Sequence, residues 1–261
     1  MTDVLLTSID EGVATVTLNR PDARNALNRE LRKAIWDTMG SLDVDDAVAA
    51  VVVTGADPAF CAGLDLKELA SGGARLGSAV GAPPAGSVVR GPIPPMTKPV
   101  IGAVNGVAIT GGFELALACD FLVASERAAF ADTHARVGIM PGWGLTVLLP
   151  EAIGYRRARE LSATGNFLDS TTALTWGLVN HVVPHDAVVS TAQELAADIA
   201  SNDPVAVRRM MQTYREGSLV DRAGAWRLET SVSDDWVASG TGGSDLEERR
   251  KAVTERGRSQ V

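Results

Sequence analysis

An α/β fold with a mostly parallel sheet is predicted from two observations. Apolar runs at residues 49–54, 99–104 and 121–124 carry no charge and read as strands buried on both faces. Loops and helical segments, at 66–71 and 112–119, lie between them, so strand–loop–helix units repeat. Ahead of these units, residues 4–9 and 13–19 are β-rich runs around Glu11-Gly12, which predicts a hairpin. Residues 28–42 then place Leu31, Ala34, Ile35, Thr38, Met39 and Leu42 at helical spacing. The 49–54 strand ends at the turn 55–58. Residues 71–95 differ from the rest, with 6 glycines, 5 prolines and only Arg75 and Arg90 charged among 25 residues. A loop this long suggests either a plain surface connection or a lid over a ligand tunnel. From about Thr191 the pattern is helical at 191–201, 204–216, around 221–233 and at 244–256. Residues 1–195 are therefore expected to form the core, and 196–261 a helical appendage suited to an oligomer contact.

Composition narrows the function classes. The chain has 261 residues, 24 basic against 32 acidic side chains and a net charge of −8, with a pI near 5.0. At 46% apolar and 21% charged, it is a globular rather than a disordered composition. The longest stretch without Asp, Glu, Lys or Arg is 170–185, shorter than the roughly 20 apolar residues that a spanning helix needs. No membrane association and no signal peptide are expected. Two cysteines, Cys61 and Cys119, provide neither a disulfide framework nor a four-ligand zinc site, which fits a reducing cytoplasm. The acidic balance argues against nucleic acid as a partner.

The sequence contains no GxxxxGK[ST] loop, GxGxxG turn, GxSxG elbow or HExxH pair. No metal or redox cofactor is therefore expected. What stands out is a pair of small-residue junctions, each following a buried strand: residues 60–66 (Phe-Cys-Ala-Gly-Leu-Asp-Leu) and 105–116 (Asn-Gly-Val-Ala-Ile-Thr-Gly-Gly-Phe-Glu-Leu-Ala). Small residues let a ligand approach the backbone, and free N–H groups at a helix start favour an anion or a developing oxyanion. Glu114 falls in the first turn of the second helix. It reads either as a dipole-complementing carboxylate or as a general base beside the Gly111 N–H.

With the 19–27 segment (Asn-Arg-Pro-Asp-Ala-Arg-Asn-Ala-Leu), Lys98–Gly106, Gly138–Gly142 and Ala173–Pro184, these motifs occur in series over about residues 4–200. In this the chain resembles the crotonase, or enoyl-CoA hydratase/isomerase, superfamily. The resemblance implies a spiral of ββα units with a helical C-terminal oligomerisation region, and a homotrimer or dimer of trimers. It also implies an acyl-CoA thioester substrate from fatty-acid or related metabolism, with coenzyme A part of the substrate and no further cofactor. Two backbone N–H groups would hold the thioester carbonyl, here Ala62 and Gly111. Ala62, Gly63, Leu64 and Asp65 would border the CoA arm, with Arg24 and Lys67 as cations for its phosphates. Glu114 falls on the first catalytic glutamate of the hydratases.

At the position where hydratases of this kind carry a second glutamate stands His134, with Asp132 the nearest other carboxylate. An imidazole can act as acid or base near neutral pH. The leading expectation is a hydratase-like lyase adding water to 2-enoyl-CoA through Glu114 and His134. The alternatives are an isomerase using Glu114 alone and an impaired acyl-CoA-binding protein. Trp36 and Trp143 read as core or pocket wall, Cys61 as a small buried residue, and His181 and His185 as structural. The 249–251 basic run is a further candidate for CoA phosphates.

Overall fold

The structure, a computed structural model, describes residues 3–70, 90–240, 250, 254 and 256–258. The hairpin forms as expected: β1 (Leu5–Asp10) pairs antiparallel with β2 (Val13–Leu18) across Glu11 and Gly12, both at positive φ. Two-residue hairpin turns of this kind twist with the strands they join. Helix α1 (Arg29–Val44) starts where the Asn28 side chain accepts the Leu31 N–H at 2.9 Å. It buries Leu31, Ile35, Met39 and Leu42, the stripe that the spacing predicted.

Three strand–strand–helix units follow. They are β3 (Ala50–Gly55), β4 (Ala59–Cys61) and α2 (Leu66–Ala70); β5 (Val100–Val104), β6 (Val107–Ile109) and α3 (Gly111–Leu117); and β7 (Phe121–Ser125), β8 (Ala129–Ala131) and α4 (His134–Val137). The chain continues through α5 (Leu145–Ile153), α6 (Tyr155–Thr164), β9 (Phe167–Asp169), α7 (Ser170–Trp176), β10 (His181–Val183), α8 (Val188–Ala200), α9 (Pro204–Ser218) and α10 (Arg222–Ser239). The first strand of each unit joins a six-stranded sheet of order β1-β2-β3-β5-β7-β10, parallel except for the hairpin. The second strand joins a four-stranded sheet of order β4-β6-β8-β9. This is the spiral of ββα units. The three-residue strands of the smaller sheet are too short to show a period in sequence, and the reading from periodicity missed them.

Side chains of the large sheet alternate between its two faces, as the two-residue repeat of a strand requires, and in β3 and β5 both faces are buried. Val13, Ala50, Val52, Ile101, Ala103 and Val123 form one cluster with Val188, Ala192 and Ala196 of α8. Val16, Val51, Val53, Val100, Val104 and Leu122 face the main core with α1. The boundary expected at 195/196 therefore falls inside α8, between two alanines of one cluster. The compact units are Met1–Arg208 and Arg209–Val261. In the second, α10 buries no residue, and Tyr214, Trp226 and Val237 stand exposed. No described helix is long and apolar enough to cross a membrane. Most of the expected helix at 244–256 and most of the 71–95 loop lie outside the described residues.

Lys98, fully buried, closes the C-terminus of α1 by donating to the carbonyls of Leu42, at 2.6 Å, and Asp45. A cation there complements the helix dipole and satisfies carbonyls that the helix itself leaves open. Lys98→Met should lower the unfolding free energy by about 2–4 kcal/mol, read as a reduced urea midpoint at unchanged m-value.

Candidate active site

The second crossover sets the position of α3. After β6 the chain turns within one residue, Thr110, which holds φ +53° and ψ −113°. A β-branched residue in that region costs on the order of 1–3 kcal/mol and persists only when its surroundings enforce it. Here the Thr110 N–H donates to Ala131 O at 2.9 Å, and its hydroxyl meets that of Thr133 at 2.5 Å. Two residues on, a Cβ at Gly112 would stand 2.1 Å from the Cys61 carbonyl oxygen, so only glycine lets α3 lie on β4.

The turn buries the Glu114 carboxylate, at 2% exposure. Its Oε1 accepts the N–H groups of Gly142 at 3.1 Å and Trp143 at 2.7 Å. Gly138, at φ +77°, ends the single-turn helix α4, and the segment beyond it carries these two donors back over α3. Glu114 Oε2 faces His134 Nε2 at 3.5 Å. On the other side of the ring, His134 Nδ1 lies 2.6 Å from Asp132 Oδ1. A carboxylate can only accept, so Nδ1 carries the hydrogen. His134 and Asp132 are buried as deeply as Glu114. Burial alone would lower the imidazole's pKa, but the bonds to Asp132 and Glu114 outweigh it and raise the value to about 9. Burial likewise opposes ionisation of Asp132, yet its bonds to His134 and the Ser162 hydroxyl hold it below the usual carboxylate range. The His134 ring, its proton held to about pH 9, stands between the side chains of Asp132 and Glu114.

The expected donor Ala62 is corrected by the backbone. Its N–H donates to Arg24 O at 2.9 Å and is not free for a substrate. The next turn differs. Leu27 N donates to Gly63 O at 2.7 Å and Asp65 N to Leu27 O at 3.3 Å, which makes Leu27 and Leu64 a parallel bridge. Backbone groups alternate in direction along such a pairing, so the Leu64 N–H points away from Leu27. Among the described residues, neither Leu64 N nor Gly111 N donates to a protein acceptor. The two loops are neighbours: a Cβ on Gly63 would lie 3.4 Å from Gly111 N, and one on Gly111 would lie 3.7 Å from Leu64 Cγ.

Gly63 is buried, at φ +90°. The Asp65 carboxylate serves the fold, pairing with Arg20 at 3.0 Å and accepting Lys67 N at 3.1 Å at the start of α2. Arg24 and Lys67 are exposed, and among the described residues no ion pair holds either. Of the 249–251 run, only Arg250 lies among them. Trp143 is half-buried, its Cζ3 at 3.2 Å from a Cβ built on Gly111, while Trp36 is half-buried on α1. The Cys61 thiol is buried, its pKa pushed up to about 12, and donates to Asn25 O. His185 bridges Asp57 and Ser125. Sequence reasoning missed the Leu64, Gly142 and Trp143 N–H groups, for which residue type gives no signal. Among the described residues, no His, Cys, Asp and Glu cluster could hold a metal ion.

Comparison with known proteins agrees with the fold. The family described as enoyl-CoA hydratase/isomerase matches residues 8–253. A probable peroxisomal enoyl-CoA hydratase 1 of Arabidopsis thaliana is 41% identical, covering 84% of this chain and 80% of that protein. A short-chain-enoyl-CoA hydratase of Clostridium acetobutylicum is 39% identical, with 84% of each covered. A crystal structure of an enoyl-CoA hydratase from Mycobacterium tuberculosis H37Rv superposes with a TM-score of 0.75 at 47% identity, covering 89% of this chain and 98% of that one.

The raised His134 pKa has a sign that can be checked in stability. Its stabilisation is complete below the unfolded value of 6.5 and is lost as pH rises through about 9. The unfolding free energy should fall by on the order of 2 kcal/mol across that window. Urea titrations of His134→Gln should lack this decline.

Proposed function

Because the chain belongs to the enoyl-CoA hydratase/isomerase family, we infer that it is an enzyme adding water to the double bond of 2-enoyl-CoA thioesters. The observation that carries this reading is the buried Glu114–His134 pair, 3.5 Å apart, beside two N–H groups with no protein acceptor among the described residues. The chemistry needs an oxyanion site, a base and an acid, and the site offers one of each.

The thioester oxygen would take the N–H groups of Leu64 and Gly111. These stabilise the enolate that forms when hydroxide adds at the β-carbon; one such donor is typically worth about 3–4 kcal/mol in the transition state. Glu114, with Oε1 fixed by two backbone donors and Oε2 facing His134, accepts the proton of the attacking water. His134, as imidazolium, donates Nε2–H to the α-carbon. Transfer of the proton from Glu114 to Nε2 then restores both groups. A single-base isomerase would leave the imidazolium without a task.

The reaction as proposed uses no resident metal or redox cofactor, since donor, base and acid all come from the chain. We place it in fatty-acid oxidation or related acyl-CoA metabolism. Exposed Arg24 and Lys67 remain the proposed cations for the CoA phosphates, with 63–65 beside its arm. A homotrimer or dimer of trimers is supported by α10, which buries nothing of its own and exposes Trp226 and Val237. Two buried free thiols fit a reducing cytoplasm, and the net charge of −8 fits a protein without a nucleic-acid partner.

Product analysis with 2-enoyl-CoA and 3-enoyl-CoA thioesters tests the reading. Water addition to the 2-enoyl substrate should fall about 10²–10⁴-fold in both Glu114→Gln and His134→Gln. Double-bond migration without hydration, lost only in Glu114→Gln, would establish the isomerase instead. CoA-ester binding with no turnover of either substrate would defeat both.

A further inference from the structure

One buried acid in this site has no part in the mechanism above. We propose that Asp132 is the positioning residue of the proton donor, so that a buried Asp–His couple does the work of a single carboxylic acid. This rests on the reading of His134 as the acid of a hydration, and it names the residue that lets a basic side chain serve as one.

The geometry carries the proposal. Asp132 Oδ1 accepts both the ring Nδ1–H of His134 at 2.6 Å and its backbone N–H at 3.2 Å. One oxygen therefore holds the ring and the main chain of the same residue, which fixes the rotation of the imidazole. Nε2 is left as the nitrogen facing Glu114 Oε2. The Ser162 hydroxyl, from α6, steadies the carboxylate. Among the described residues, the charged groups acting on His134 are Asp132, from the segment before α4, and Glu114, from α3. Arg136, on α4 itself, is turned to Thr164 O and Asn166.

The proton balance follows from this arrangement. When the α-carbon is protonated, the enolate electron pair forms the new C–H bond, and the electrons of the N–H bond stay on Nε2. The ring becomes neutral with its hydrogen still on Nδ1, facing Asp132, which remains ionised throughout. Without that carboxylate the ring would be neutral over much of the working range, and a neutral imidazole is too weak an acid to protonate carbon. The raised pKa of His134 agrees with the geometry.

The test compares kcat and KM for hydration from about pH 5 to about pH 10 in the wild type, Asp132→Asn and His134→Gln, alongside ¹⁵N NMR of the histidine rings. In Asp132→Asn, kcat at neutral pH should drop on the order of 10²-fold or more while KM changes less than about threefold. The alkaline limb should move from about 9 toward 6.5, and activity should recover on acidification. In the wild type, both ring nitrogens of His134, identified by their loss in His134→Gln, should be protonated at neutral pH. Wild-type kcat and alkaline limb in Asp132→Asn would overturn the proposal, as would an unprotonated Nδ1 in the wild type. The NMR result decides alone if Asp132→Asn does not fold. Full hydration by His134→Gln would remove the underlying reading, whereas an inactive His134→Gln beside an unaltered Asp132→Asn would remove only the role of Asp132.

Discussion

A Cβ at residue 112 would come within 2.1 Å of the Cys61 carbonyl oxygen, so α3 and β4 touch backbone to backbone. Much of the site follows from that contact. It draws the start of α3 against the 63–64 loop, where a Cβ on Gly63 would lie 3.4 Å from Gly111 N. Two N–H groups from different crossovers can then serve one oxygen. The same contact drives Glu114, three residues into the helix, under the 142–143 backbone. The positive φ of Thr110 is the local consequence, because the chain must leave β6 and enter α3 with no room for a longer turn. Its strain is offset by the Ala131 carbonyl and the Thr133 hydroxyl.

Burying two carboxylates near each other is costly unless the charge between them is compensated. His134 supplies that compensation. Its ring lies 2.6 Å from Asp132 Oδ1 on one side and 3.5 Å from Glu114 Oε2 on the other. A histidine bonded to Asp132 at this position keeps the two buried acidic side chains from facing each other uncompensated. In the proposed reaction the acid is this imidazolium, whose proton is held to about pH 9. The two backbone donors on Glu114 Oε1 complete the arrangement, since they give one oxygen of a buried carboxylate the partners that water would otherwise provide.

The large sheet was legible in the sequence because β3, β5 and β7 are uncharged runs long enough to be seen, and the α1 stripe because it repeats over several turns. Glu114 and His134 were legible as residue types at telling positions. The smaller sheet was not, because three residues show no period. The donor was misassigned to Ala62 for a related reason: which N–H is free depends on pairing direction, not on side chains. Ala62 and Leu64 look equivalent in sequence, yet one hydrogen-bonds to Arg24 O while the bridge between Leu27 and Leu64 turns the other outward. Asp132 stood two residues from His134 in plain view, but only the fold shows that the two side chains are hydrogen-bonded through Nδ1.

The smaller sheet, invisible in the sequence, explains why the parts of the site meet. β4, β6 and β8 are parallel neighbours. The residues leaving their C-terminal ends are 62–64, 110–111 and 132–134, which are the donor loop, the second donor and the Asp–His couple. Ligand sites in parallel sheets form at this edge, because neighbouring strands all deliver their exits there. The pairing of Ile109 with Ala131 sets Thr110 beside Asp132 and thereby fixes the distance from the Gly111 N–H to His134. A slip of one residue between β6 and β8 would turn alternate side chains to the opposite face and separate donor from acid. The Thr110–Thr133 hydroxyl contact sits directly after that pairing and locks its register. The geometry of the candidate site is thus set by strand register in a sheet of three-residue strands, with the glycines allowing the backbones to close on it.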